Sequence, residues 1–469
     1  MKRTVHLLLA LVLGAVVLTG CQKGVQMWGA CTPAANGDPS GTDGTYLLHC
    51  VEGRWTPVMT GDEYVRIARG ERVRIAPLPT APTTSTTSST TTSTSTTSTS
   101  TTSTSTTSTT TTTTTTTIPT PSVTAAEVTG GQQFTCAITG GRVWCWGRNN
   151  RSQLGNGSTT NSSTPVDTGI TNATHVDAGM EHACASLTDG TVKCWGNGHY
   201  GQVGQGIYTD ATTPKAVPGI TGATDVGVGP LHSCAIVTGG AVKCWGNNGS
   251  GQLGNGTTWD ALSPVSVTGL TGAVELSAGS AQTCARFANG TVSCWGGNGN
   301  GELGNGTNTN STAPVAVTGI TNAVSLGNGE WYSCAVLADG TTRCWGFNGS
   351  GELGDGATTN SNVPVAAVGI TAATDISGGN RHTCVSTDRI QCWALNNYGQ
   401  LGDGTGVSSL APVDVVGLGP ALDLESGPHH TCAIFAGAAI RCWGWNGSGQ
   451  LGNGTTTNAD APVVVTGFA

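Results

Sequence analysis

From about residue 122 the chain repeats itself seven times, and its cysteines mark the period. They pair at 136/145, 184/194, 234/244, 284/294, 334/344, 384/392 and 432/442, with first members 48 or 50 residues apart. Each unit has the same parts in the same order, with few departures. A strand ends in Gly, then comes x-x-His-x-Cys-Ala with a variable His position, a turn, and Val-x-Cys-Trp-Gly. A glycine-rich loop such as Gly251-Gln252-Leu253-Gly254-Asn255-Gly256 and a strand such as Pro264-Val265-Ser266-Val267 complete it. A period near 50 with about four short strands predicts one propeller blade per unit. The expected fold is therefore all-β, a seven-bladed β-propeller over residues 122–469. With 72 glycines among 469 residues and only 10% charged side chains, short strands joined by tight turns are favoured over long helices.

The cysteines also predict their own partners. In the second unit Cys184 and Cys194 are symmetric about Asp189, in Thr188-Asp189-Gly190. A three-residue hairpin loop with Gly left-handed sets the two opposite each other, and Gly140-Gly141 does so in the shorter first unit. Opposed residues of a non-hydrogen-bonded pair lie close enough to bridge. Seven disulfides are expected: Cys136–Cys145, Cys184–Cys194, Cys234–Cys244, Cys284–Cys294, Cys334–Cys344, Cys384–Cys392 and Cys432–Cys442. Each closes a loop of about ten residues, worth roughly 2–3 kcal/mol. Free thiols or a metal are the alternatives, though zinc wants two close Cys/His pairs rather than seven isolated ones.

Ahead of the repeats the composition changes three times. Lys2 and Arg3 precede an apolar run from Leu7 to Leu18, which reads as a signal peptide over 1–20. The ending Leu18-Thr19-Gly20-Cys21 resembles the bacterial lipoprotein box. That resemblance implies cleavage before Cys21, acylation of its sulfur, and a lipid-anchored N-terminus at 21–24. Residues 25–78 form a small unit with Cys31 and Cys50, in which Thr45–His49 reads as a strand. Too small for a full core and exported, it is expected to close a Cys31–Cys50 disulfide. Residues 79–121 are a linker whose stretch 83–117 is Ser and Thr alone. Having no apolar surface to bury, it is expected to be a disordered stalk, its ends roughly 30 Å apart as a coil. Export keeps the cysteines where disulfides persist.

The pattern G-x-x-H-x-C-A, D-G-x-V-x-C-W-G, G-Q-L-G-x-G is similar to the repeat of the regulator of chromosome condensation family, in a cysteine-bearing bacterial form. The sixth unit departs most, with Cys384-Val385 and Trp393-Ala394. The family's eukaryotic founder is a nucleotide-exchange factor on a nuclear GTPase that also binds chromatin. A secreted relative inhibits β-lactamases, which implies a protein ligand. Charge counts against the founder's role. Beyond residue 78 stand 11 Lys and Arg against 21 Asp and Glu, a balance of −10 with no basic run. Duplex binding needs clustered cations, so no nucleic-acid partner is expected.

Catalysis has no candidates. No Gly-x-Ser-x-Gly elbow, His-Glu-x-x-His or phosphate loop occurs, and the Gly-Asn-Gly and Gly-Asp-Gly triplets lack a calcium loop's ligands. No catalytic residue, cofactor or metal is expected. His182, His232, His382 and His430 share a position with Phe134, Gln282 and Tyr332, which marks it as structural. The Trp after each second cysteine is expected to fill the contact between blades.

Positions that vary among the units are not demanded by the fold. They are the pair after the first strand, the residue after Trp-Gly, and the residue three further on. Strand reversal at each hairpin puts all of them at one end of the propeller. Trp331, Tyr332, Phe347, Arg381, Leu395, Tyr398 and Trp445 are thereby expected on one face, to bind an unidentified protein or a surface glycan. The chain is read as a monomer, exported and held to the outer side of the envelope by lipid at Cys21. A propeller lyase or hydrolase, or an exchange-factor-like regulator, is the alternative.

Overall fold

The computed structural model describes residues 125–468 and the backbone of three earlier strands, Gly29–Cys31, Tyr46–Val51 and Arg54–Thr60. Those three form an antiparallel sheet in chain order. Cys21, the Ser/Thr tract and the side chains of Cys31 and Cys50 lie outside the described residues.

From Ala125 onward the chain forms seven four-stranded antiparallel sheets, each built from consecutive strands. Blade 2 shows the pattern, with Ala173–Ala178 innermost, then His182–Leu187, Val192–Gly196 and Ala211–Ala216. Cys184 stands opposite Cys194 in the register, and all seven in-blade disulfides form, with Cα atoms 4.0–4.1 Å apart. Gly190 takes the left-handed conformation at the turn (φ 75°), as do Gly140 and Gly141 in blade 1.

Neighbouring residues of a strand point to opposite faces. The Cys184 sulfur therefore faces the hydroxyl of Ser233 in the next blade, while Trp195 points back at the preceding one. All seven tryptophans of this position are fully buried. Each Nε1–H donates across the interface to a backbone carbonyl, as Trp195 does to Gln153 at 2.9 Å and Trp345 to Glu302 at 2.9 Å. The glycine-rich loop explains itself at the same contact. Gly254 has φ +63°, and a Cβ there would sit 2.7 Å from Nε1 of Trp295. The loop is shaped to seat a tryptophan.

The variable histidines are structural too. His182, His232, His382 and His430 are buried, each with Nε2 at 2.8–2.9 Å from a Ser or Thr hydroxyl of the next blade. Burial pushes His182, His382 and His430 down to about 3 and His232 to about 4, so all four are neutral.

Blade 7 meets blade 1 with no strand exchanged between them among the described residues. The seam reuses the interblade contacts: Val128 N–H donates to Asp423 at 2.6 Å, and Trp146 Nε1–H to the Gln450 carbonyl at 2.8 Å. Phe468 adds a ring contact on Trp146, centroids 6.1 Å apart. Blade 6 keeps the common geometry although Ala394 replaces the glycine after Trp. Ala394 adopts φ +80° where the other units use Gly.

Candidate binding face and central channel

In each blade the N–H of the residue after Trp-Gly donates to the carbonyl of the second residue of the variable pair. Phe347 does so to Trp331 (2.9 Å), Leu395 to Arg381 (2.8 Å) and Trp445 to His429 (2.8 Å). This bond holds the two variable loops of a blade together at one end of the sheet.

Two aromatic clusters result. Trp331 and Phe347 of blade 5 meet edge to face with centroids 5.9 Å apart. The Arg381 guanidinium of blade 6 lies over both rings, at 5.5 and 5.1 Å, within cation–π range. Tyr398 of blade 6 packs on His429 (5.4 Å) and Trp445 (6.2 Å) of blade 7. Leu395 is half-buried beside Arg381. Blades 1 and 2 present a polar sector at equivalent positions, where Glu181 takes Arg148 and Arg151 at 3.9 and 4.0 Å.

Tyr332 does not belong to this surface. It is fully buried, its hydroxyl donating to the His382 carbonyl at 2.5 Å and accepting from Thr383 at 3.0 Å. With Trp331 turned outward, strand alternation turns Tyr332 inward, into the position that His holds in other blades.

The sequence reading also missed exposed residues on the outer part of the same end. Tyr208 is 50% exposed, Trp259 65% and Val407 71%. They lie in the loop between the glycine triplet and the outermost strand. Trp259 stands where other units have Thr309 or Thr359, so repeat comparison could have found it.

A second feature, the channel along the propeller axis, was missed entirely. The innermost strands place Glu127, His175, Asp225, Glu275, Ser325, Asp375 and Asp423 at one level, 48 or 50 residues apart. An innermost strand has no neighbour on its channel side, so its N–H groups need other acceptors. The acids supply them across four of the interfaces: Glu127 accepts from Val176 (3.0 Å), Asp225 from Leu276 (3.1 Å), Glu275 from Leu326 (2.8 Å) and Asp423 from Val128. Asp177, two residues along from His175, accepts from Val228 at 2.6 Å.

The carboxylates are crowded and short of cations. Burial opposes a charge on His175, but Glu127 and Asp225 on either side outweigh it and hold its pKa well above the usual range. Arg286 pairs with Glu275. Elsewhere burial raises the acids: Asp177 to about 6, Glu330 to about 7, and Asp423, with Glu127 and Asp375 nearby, to about 8. Burial, then Asp177, Asp423 and Asp375, push Glu425 well up. The channel holds a cavity of about 230 Å³. Its mouth is ringed by the first members of the variable pairs, among them Gln132, Met180 and Glu330. It opens on the same end as the aromatic clusters.

Comparison with known proteins gives a consistent placement. The family model described as RCC1-like domain matches residues 83–385, and that of the regulator of chromosome condensation (RCC1) repeat matches 391–434 and 442–469. No curated protein sequence matches the chain. Among solved structures it is similar to human WBSCR16, at 21% identity and TM-score 0.64, covering 69% of this chain and 94% of that one. It is also similar to yeast RCC1 (Prp20) bound to Kap60, at 16% and 0.61, covering 73% and 85%. A further match is Prp20p of Saccharomyces cerevisiae, described with its binding properties to Gsp1p and histones, at 17% and 0.60, covering 74% and 88%. At these identities the likeness is one of fold.

Proposed function

The chain belongs to the RCC1-like family, and from that premise we propose that it is an exported, lipid-anchored binding protein that recognises another protein with one face of its propeller. The carrying observation is the pair of aromatic clusters at positions the fold leaves free. Aromatic residues and Arg at loop tips are the side chains that dominate protein interfaces. Propellers of this fold from yeast bind proteins, Kap60 in one case and Gsp1p and histones in the other.

The role is binding rather than catalysis. The His position is occupied by neutral interblade residues, and Glu127, Asp177, Asp225, Glu275 and Asp423 of the channel hold backbone N–H groups of the next blade. A surface glycan is the second reading, favoured by the exposed rings of Tyr398 and Trp259. The Leu18–Cys21 ending supports an anchor at Cys21, and the Ser/Thr tract a stalk that holds the propeller off the envelope. Mass spectrometry of the mature N-terminus should find a modified Cys21, and Cys21→Ser should release the protein from membranes.

The binding test compares variants of the full chain. A protein retained by the wild type should bind Trp331→Ala about 30-fold more weakly, the equivalent of about 2 kcal/mol. It should bind a variant at the opposite end, Asp388→Asn, as well as wild type. Equal retention by Trp331→Ala and Trp445→Ala would remove the face from the account.

A further inference from the structure

The channel mouth collects acceptors that nothing in the protein satisfies. Asn328 Oδ1, Glu330 Oε2, Asn380 Oδ1 and Ser426 Oγ are buried atoms without a hydrogen-bond partner, and all four residues line the one cavity. Ser426 is only 7% exposed. Buried polar groups are normally paired, and an orphaned one costs about 1–3 kcal/mol. The two amide oxygens can only accept, so what they lack is a donor.

Charge points the same way. Seven carboxylates and one histidine line the cavity, and no Lys or Arg does. Glu127, Asp225 and Glu275 have ion-pair partners, while Asp177, Asp375, Glu330 and Glu425 form no ion pair among the described residues. The missing donor is therefore cationic. The unpaired carboxylates and the orphaned acceptors also lie at two depths. Asp375 is three residues further from the mouth along its strand than the Asn328 and Ser426 positions, and strand rise makes that about 10 Å. At ~30 Å³ per water, the cavity has room for roughly eight waters, enough for a slender chain.

We propose that the central channel is a binding site for a short aliphatic diammonium ion, one ammonium at the deep carboxylates and the other among the orphaned acceptors of the mouth. The methylene chain spans the two levels. This site is separate from the aromatic clusters and does not depend on the face binding a protein.

Isothermal titration of the full chain with cadaverine at low salt tests it. The expected result is saturable binding at one site per chain. Nα-acetyl-lysine methylamide, with one ammonium, should bind at least tenfold more weakly, and 1,5-pentanediol not at all. Glu425→Gln keeps an acceptor for Ser377 (2.8 Å) and should weaken cadaverine at least tenfold. Glu330→Gln, at the rim, gives the same reading without touching the strands, should Glu425→Gln fail to fold. Asp388→Asn should change nothing. Several results would overturn the proposal: no saturable heat, equal affinity for the lysine derivative, unchanged binding in both glutamine variants, or full displacement by equimolar Mg²⁺. The last would mark a diffuse counter-ion cloud.

Discussion

Each Cys-Trp-Gly run assigns neighbouring residues to different tasks. The cysteine ties its own blade, the tryptophan holds the preceding blade, and the glycine turns the chain toward the free loop. Trp345 and Trp331 have contrasting tasks in that scheme. Trp345→Ala removes a fully buried ring and its bond to Glu302, and should cost about 3–5 kcal/mol in chemical denaturation. Trp331→Ala removes a half-buried ring that touches Phe347 and Arg381, and should cost about 1 kcal/mol or less. Ala394 carries the opposite lesson, since a left-handed alanine costs about 1–2 kcal/mol. Ala394→Gly should stabilise by about 0.5–1 kcal/mol after the extra chain entropy of glycine, measured by the same denaturation. The tryptophans' role was legible because seven identical residues at one position mean a shared structural task. Tyr332 was misplaced because it directly follows loop residues, whereas it begins the strand and its side chain follows the strand's alternation.

At the level of the strand and hairpin, the turn residues told most. Thr188-Asp189-Gly190 and Gly140-Gly141 dictate different loop lengths, yet both bring the cysteines into register. Replacing Cys334 and Cys344 together by Ser should cost roughly 2–3 kcal/mol, with hydrogen exchange rising mainly in blade 5 and its neighbours. The innermost strands were less legible. Glu127, Asp225 and Asp423 look like ordinary solvent-facing positions of half-buried strands. Only closure of the ring turns them inward and gives each the N–H of the next blade to hold. The 48–50-residue recurrence of acids is visible in the sequence, but nothing within one strand shows that these positions face the axis.

For the molecule as a whole, ring closure concentrates charge, and this sets its response to pH. The Asp423 carboxyl, raised to about 8, favours its protonated form in the folded state, so its contribution is present at low pH and lost as pH rises through 8. The buried histidines, lowered to about 3 or 4, favour the neutral form, so their contribution is lost as pH falls below about 6.5. The melting temperature should peak near pH 6–7 and fall on both sides. Asp423→Asn keeps an acceptor for Val128 and should recover about 1 kcal/mol at pH 9. The seven-bladed architecture itself followed from periodicity. The seam between blades 7 and 1 did not, because no repeat unit announces which contact closes a ring. The central claim is that one end of this ring recognises a protein and the other does not. Photo-crosslinking in the native envelope tests it most directly, with the reactive side chain at position 398 on the variable end or at position 388 in the opposite turn. The account predicts a discrete protein adduct from position 398 and none from 388. Adducts of equal yield from both ends, or from 388 alone, would contradict it.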